Sequence, residues 1–278
     1  MELNWLESIV LGLISGLADV LPVSAQAHKT ILLKIFGVDR EPGLLRLMIH
    51  LGTLAALYSC SSNQILRIIR QKRLARIPKK KRRRPVDVRT LLEFRLLCIM
   101  IVPVIIGLFF YNKTAAWGIR LNLTALFLLL NGIILFLPGL LPTGNKDSRS
   151  MSALEGVLVG LGGAAEILPG VSSVGTANAV ASVCGADRSF ALNLTYLMHM
   201  VLTAGMIVLD VIAIANAGLS GFTFVAFLYS LAAAAAAFCA SFFGIRLMRA
   251  MAQNVGFSVF AYYSFGAALF SFVLFLMV

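Results

Sequence analysis

Charged residues are scarce in this sequence. They make up 13% of 278 residues, against 59% hydrophobic. A water-soluble chain of this size carries about a quarter, so a soluble globular domain is excluded. Cysteine is scarce as well, and Cys60, Cys98, Cys184 and Cys239 stand at no paired spacing. That excludes a disulfide framework and a metal knuckle, and leaves four small side chains expected to be buried. The apolar runs lack the ~10-residue alternation of an outer-membrane barrel. The opening M-E-L-N-W-L-E lacks a basic region, and no small-residue cleavage site follows, so no cleaved signal peptide is expected.

What is present is a series of apolar runs close to the ~20 residues that cross a bilayer as helix. The fold class expected is an all-α polytopic membrane protein. Full spans are expected at 44–63, 91–111, 121–141, 189–211, 222–244 and 256–278. Two further apolar segments, 3–36 and 151–184, are interrupted by Pro22 and Pro169 with glycines nearby, so each reads as two half-length helices. The alanine run 232–237 offers a small-residue face for close packing.

The two interrupted segments match each other. Asp19, Pro22 and Ser24 correspond to Glu166, Pro169 and Ser172. Leu6-Glu7 and Gly12-Leu13 recur as Leu154-Glu155 and Gly160-Leu161, and Gly37-Val38-Asp39-Arg40 recurs as Gly185-Ala186-Asp187-Arg188. The chain thus reads as two copies, 1–147 and 148–278, joined by the polar linker 144–149. With an odd number of crossings per copy, the copies would be inverted. Paired, Gly/Pro-interrupted segments in inverted copies point to a binding site between them. Non-helical backbone at that depth must be buried or line a cavity, and half-helix N-termini there suit an anion.

The net charge of +12 is concentrated. Between Arg67 and Arg89 lie 12 of the 24 Lys and Arg and a single acid, Asp87, so the remainder has 12 bases against 11 acids. Such a block can bind nucleic acid. Between two spans it reads instead as a cytoplasmic loop touching anionic lipid, by the positive-inside rule. The loop 112–119 would then face outward.

At this point the sequence resembles the undecaprenyl-diphosphate phosphatases of the bacitracin-resistance type. Their first motif, roughly E-G-x-x-E-F-L-P-[IV]-S-S-T-G-H, compares with S-G-L-A-D-V-L-P-V-S-A-Q-A-H at 15–28. Their second, roughly P-G-x-S-R-S-G, compares with P-G-V-S-S-V-G at 169–175. Ile49 to Thr53, Asp187-Arg188 and Asp210 carry weaker echoes. The resemblance implies six spans plus two re-entrant helical hairpins, in a bacterial plasma membrane, with a site opening outward. It implies removal of the terminal phosphate of undecaprenyl diphosphate, and a divalent cation, Mg²⁺ or Ca²⁺, as an assisting cofactor. The partners expected are the polyprenyl lipid, anionic lipid at the basic block and a second copy of the chain, with no nucleic acid.

Carried over residue by residue, the motifs are altered at charged and nucleophilic positions. Ser15 and Asp19 stand for a pair of glutamates; Ala25 and Ser173 stand for a serine and the arginine; Ser24, His28 and Gly175 are kept. The candidate catalytic residues are Asp19, Ser24 and His28, with His28 as proton donor or nucleophile oriented by Asp19. Candidate substrate-binding residues are Ser15, Gln26, Lys29, Glu166, Gly170, Ser172, Ser173, Gly175 and Thr176. Ser24 and Ser172 suit helix capping equally well. Lys29 either restores the missing positive charge or snorkels to an interface. His50 and His199 read as satisfied interior histidines, and three separated histidines make no metal motif. Two functions stay open: a phosphatase, and a carrier that binds polyprenyl phosphate and moves it across the bilayer without hydrolysis.

Overall fold

The structure, a computed structural model, describes residues 3–82, 84–115, 120–217, 223–252 and 258–277. Within them the fold is helical: α1 (Trp5–Val20), α2 (Ala25–Ile35), α3 (Gly43–Arg76), α4 (Val88–Ala115), α5 (Leu121–Phe136), α6 (Ala153–Ala164), α7 (Ser173–Val183), α8 (Arg188–Ala217), α9 (Phe224–Met251) and α10 (Ser258–Met277). Six helical stretches are long and apolar enough to cross a membrane: α3, α4, α8, α9, α10 and α5 with its extension to Leu140. The protein is a multi-pass membrane protein. Residues 116–119 of the loop expected to face outward lie outside the described residues.

The two interrupted segments fold alike in local detail. Asn4 and Glu7 form a capping box at the start of α1, and Ser152 and Glu155 form the same box at α6. Ser24 Oγ accepts from the Ala27 N–H, and Ser172 Oγ accepts from the Gly175 N–H, starting α2 and α7. Both second helices end on a left-handed glycine, Gly37 at φ 69° and Gly185 at φ 82°. The Val38 N–H donates to Leu33 O and the Ala186 N–H to Ala181 O, the wrapped helix ending that such a glycine permits.

The principal helix contacts join helices before the linker 144–149 to helices after it: α1 and α3 lie on α9, α6 on α4, and α5 on α10. Small residues set these distances. A Cβ on Gly16 would stand 2.7 Å from Ala237 Cα, and one on Gly12 2.9 Å from Ala233 Cα. Ala233 and Ala237 are fully buried, so the alanine run of α9 is the close-packing face the sequence suggested. Gly160, the counterpart of Gly12, approaches α4 in the same way, with its Cβ position 2.9 Å from Met100 Cα.

Two expectations need correction. The basic block is not wholly a loop. Helix α3 runs on to Arg76 through L-R-I-I-R-Q-K-R-L-A-R, which is rich in good helix formers. It stops at Ile77 because Pro78 disfavours helix in the residue before it. The polar stretch that remains is closed by Asp87, which accepts from the Thr90 hydroxyl at 2.6 Å and from the Arg89 N–H. The Thr90 hydroxyl in particular holds the Asp87 carboxyl below the usual carboxylate range. The cysteines are free, and none is fully buried: Cys60 and Cys184 are half-buried, while Cys98 and Cys239 are exposed on the outer surface of the bundle.

Candidate active site

The break between α1 and α2 leaves carbonyls that no helix satisfies. Side chains from outside this segment take them up. The Tyr196 hydroxyl donates to Val20 O at 3.0 Å and the Ser172 hydroxyl to Leu21 O at 3.1 Å, while the Ser241 hydroxyl adds a bond to Gly16 O, within α1, at 2.8 Å. Asn131 Nδ2 donates to Pro22 O at 3.4 Å. Asn131 also accepts from the Ser172 N–H at 2.9 Å, so this one fully buried residue of α5 holds both breaks. Gly175 lets the tips close. A Cβ there would be 3.1 Å from Pro22 Cα. Gly170, at φ 130°, passes so near α5 that a Cβ would lie 2.7 Å from Phe127 Cβ.

On this frame Asp19 and Glu166 come to opposite sides of His199. Asp19 Oδ2 lies 3.4 Å from His199 Nε2, and Glu166 Oε2 lies 3.6 Å from His199 Nδ1. The His199 side chain is 1% exposed, and the carboxylates 9% and 12%. Among the described residues, neither ring nitrogen has a hydrogen-bond partner, nor do Glu166 Oε2, Ser15 Oγ, Ser173 Oγ and Thr195 Oγ1. Ser15 precedes Asp19 by one helical turn on α1, and Ser173 lies next to Glu166. Unsatisfied buried polar atoms are rare, and a group of them calls for a ligand or a functional reason.

A second polar group adjoins the first. Lys29 is buried and bonded to Glu41 at 3.2 Å. Arg46 Nε and His50 Nδ1 flank Asp210 at 2.6 Å and 2.7 Å. Lys29 is therefore neither a free cation nor a snorkelling one. His50 is a satisfied interior histidine, as expected, but His199 is not.

The remaining candidates divide. His28 does not meet Asp19. Its Nδ1 is 2.6 Å from Ser24 O and its Nε2 2.6 Å from the Tyr263 hydroxyl, with the two rings stacked. Ser24 and Ser172 cap α2 and α7. The Thr176 hydroxyl lies 2.6 Å from both Gly162 O and Ser172 O, tying α7 to α6. Gln26 is half-buried on the first turn of α2. Sequence reasoning missed Glu41 and Asn131, and it undervalued His199, Arg46 and Asp210. The signal was available for the last three, since an ionisable residue inside an apolar span is a functional candidate by default.

For a divalent cation the fit is poor. Among the described residues no three His, Cys, Asp or Glu side chains converge as metal ligands. His199 fills the space between the two carboxylates that a hard cation would use. A separate cavity of about 740 Å³ opens at the basic end, where Arg67, Arg89 and Arg249 face Asp87, Glu93 and Asp187. Three positive and three negative groups leave its lining without net charge.

Comparison with known proteins agrees with the whole-chain arrangement. The family model described as Bacitracin resistance protein BacA matches residues 8–270. The chain is 26% identical over 263 residues to the undecaprenyl-diphosphatase of Carboxydothermus hydrogenoformans, covering 94% of each chain. It is 27% identical over 263 residues to that of Methanobrevibacter smithii, covering 93% of each. With the enzyme of the same name from Alkaliphilus metalliredigens it shares 27% identity over 271 residues, 93% of this chain and 94% of the other. A match from residue 8 to residue 270 covers nearly all of both interrupted segments, five of the six long helices whole and α10 as far as residue 270, and on that extent the chain belongs to the bacitracin resistance protein BacA family.

Proposed function

We propose that this protein hydrolyses undecaprenyl diphosphate to undecaprenyl phosphate and inorganic phosphate in the bacterial plasma membrane. The observation that carries the reading is the meeting of Asp19 and Glu166, one from each break, on His199. A carboxylate pair around a proton carrier, with free hydroxyls beside it, suits attack by water on a phosphorus. In this reading the segments α1–α2 and α6–α7 are re-entrant hairpins of two inverted copies, and the site opens outward. The N-termini of α2 and α7, set by Ser24 and Ser172, turn partial positive charge toward the diphosphate. The unpartnered hydroxyls of Ser15 and Ser173 donate to its oxygens. Lys29 and Arg46 are matched by Glu41 and Asp210, so the helix N-termini and the hydroxyls carry the role of the guanidinium missing at Ser173. His28, engaged by Ser24 and Tyr263, closes the outer flank. Gln26 and Thr176 border the capped turns, and Gly170 and Gly175 keep the tips close.

We place the divalent cation with the incoming diphosphate rather than in a site built by the chain. In this reading the basic segment from Arg67 to Arg89 lies on the cytoplasmic side against anionic lipid.

The test is phosphate release from undecaprenyl diphosphate by the purified protein in lipid nanodiscs, with Mg²⁺ and with chelator. Wild type should release phosphate, and Asp19→Asn and Glu166→Gln should each lose about 100-fold or more. Wild type that binds the lipid without releasing phosphate would refute the proposal in favour of a non-hydrolytic carrier.

A further inference from the structure

We infer that the cavity at the basic end binds a phosphoethanolamine group, with Arg249 on the phosphate and Asp187 on the ammonium. The inference goes beyond the hydrolytic reading and does not depend on it. The cavity, about 740 Å³, is walled by the ends of four spanning helices. Arg67 comes from α3, Arg89 from the first turn of α4, Phe190 from the first turn of α8 and Arg249 from the last turn of α9. Where spans end, the bilayer changes from hydrocarbon to the headgroups that hold its phosphates and amines. The volume lies in the range of small-ligand sites.

Most of the charge in the wall is taken up by the fold. Arg67 and Arg89 both reach Glu93, at 2.6 Å and 3.9 Å, and Arg89 also reaches Asp147 at 3.4 Å. Asp87 caps α4, with both its oxygens engaged by Thr90 and the Arg89 N–H. Two groups are left over. Asp187 caps α8 through Oδ1, which accepts from the Phe190 N–H at 2.8 Å, and among the described residues its Oδ2 has no partner. Arg249 donates to Cys60 O at 2.7 Å and to Ser61 Oγ at 3.3 Å, both neutral, and no carboxylate among the described residues pairs with it. The wall thus keeps one unmatched anion and one unmatched cation. A plain anion would satisfy Arg249 and be repelled by Asp187, and a plain cation the reverse. A ligand with a phosphate and a primary ammonium a few bonds apart satisfies both through charge-assisted hydrogen bonds. The basic segment outside draws anionic lipid by charge alone, whereas the cavity selects for the ammonium as well.

The test is native mass spectrometry of the purified full chain in detergent. The lipids added are phosphatidylethanolamine, phosphatidylglycerol and phosphatidylcholine of the same acyl chains. Phosphatidylethanolamine should be retained at a concentration about tenfold or more below that needed for the other two, because glycerol carries no charge and choline no N–H. Asp187→Asn and Arg249→Gln should each weaken that retention about tenfold or more. Asparagine still caps α8 through its amide oxygen, so the Asp187 variant reports lost charge even if the Arg249 variant fails to fold. Free O-phosphoethanolamine decides the source. Displacement of the lipid at equal concentration assigns a water-soluble ligand of the same chemistry, and persistence of the lipid assigns a membrane one. Equal retention of phosphatidylethanolamine and phosphatidylglycerol overturns the inference, as does unchanged retention in either folded variant.

Discussion

Replacing Asn131 with leucine tests whether the two breaks are held by one residue. Leucine keeps much of the volume and removes three hydrogen bonds: to Pro22 O at 3.4 Å, to Ser264 Oγ at 3.1 Å and from the Ser172 N–H at 2.9 Å. The three do not weigh equally. The Ser172 N–H is buried and has no alternative acceptor, so it bears the full cost of an unpaired group, about 1–3 kcal/mol. Pro22 O loses a long, weak bond and stands at about 1 kcal/mol, the low end of that range. The Ser264 hydroxyl can turn to a carbonyl of its own helix and costs little. The expected destabilisation is about 2–4 kcal/mol, measured by SDS-unfolding titration of the purified protein. Phosphate release should fall by about 10–100-fold, since a shift of the tips near 1 Å displaces Asp19 and Glu166 from each other. A change in stability within about 0.5 kcal/mol, the range of a neutral surface substitution, would refute the reasoning.

Three further outcomes are expected. Gly16→Val should abolish folded yield, because its Cβ would stand 2.7 Å from Ala237 Cα, while Gly266→Ala, whose Cβ meets nothing within 4 Å, should match wild type on size-exclusion chromatography. Asp210→Asn should cost roughly 3–5 kcal/mol by the same unfolding titration, toward the lower end because Arg46 is 26% exposed; His50→Gln should cost less, since Arg46 keeps its carboxylate. A cysteine at Lys80 should escape an impermeant thiol reagent in intact cells and react after permeabilisation, as a cytoplasmic basic segment requires; labelling before permeabilisation would reverse the orientation.

Much of the fold could be read from local chemistry. Scarce charge and long apolar runs determined a multi-pass helical protein, because backbone polar groups in lipid are satisfied within helices. Pro22 with its neighbouring glycines marked the first break, and Gly37 and Gly185 marked helix ends that only a left-handed residue completes. Each rule acts within about five residues, so the sequence suffices. The extent of α3 escaped because charge was read as loop, although Arg, Lys and Gln favour helix until Pro78 forbids it. The site was legible only in part. Asp19 and Glu166 stood out as a matched pair, but their partner lay elsewhere. Sequence proximity favoured His28, nine residues from Asp19, whereas packing turned that ring toward Tyr263 and brought in His199 from α8. Lys29 likewise met Glu41, and Asn131 joined both tips from α5. Such pairings depend on how separate helices rotate and cross, which is settled by glycine and alanine contacts between them. No spacing within one segment encodes that, so the sequence determined the breaks and the tertiary structure decided which side chains meet across them.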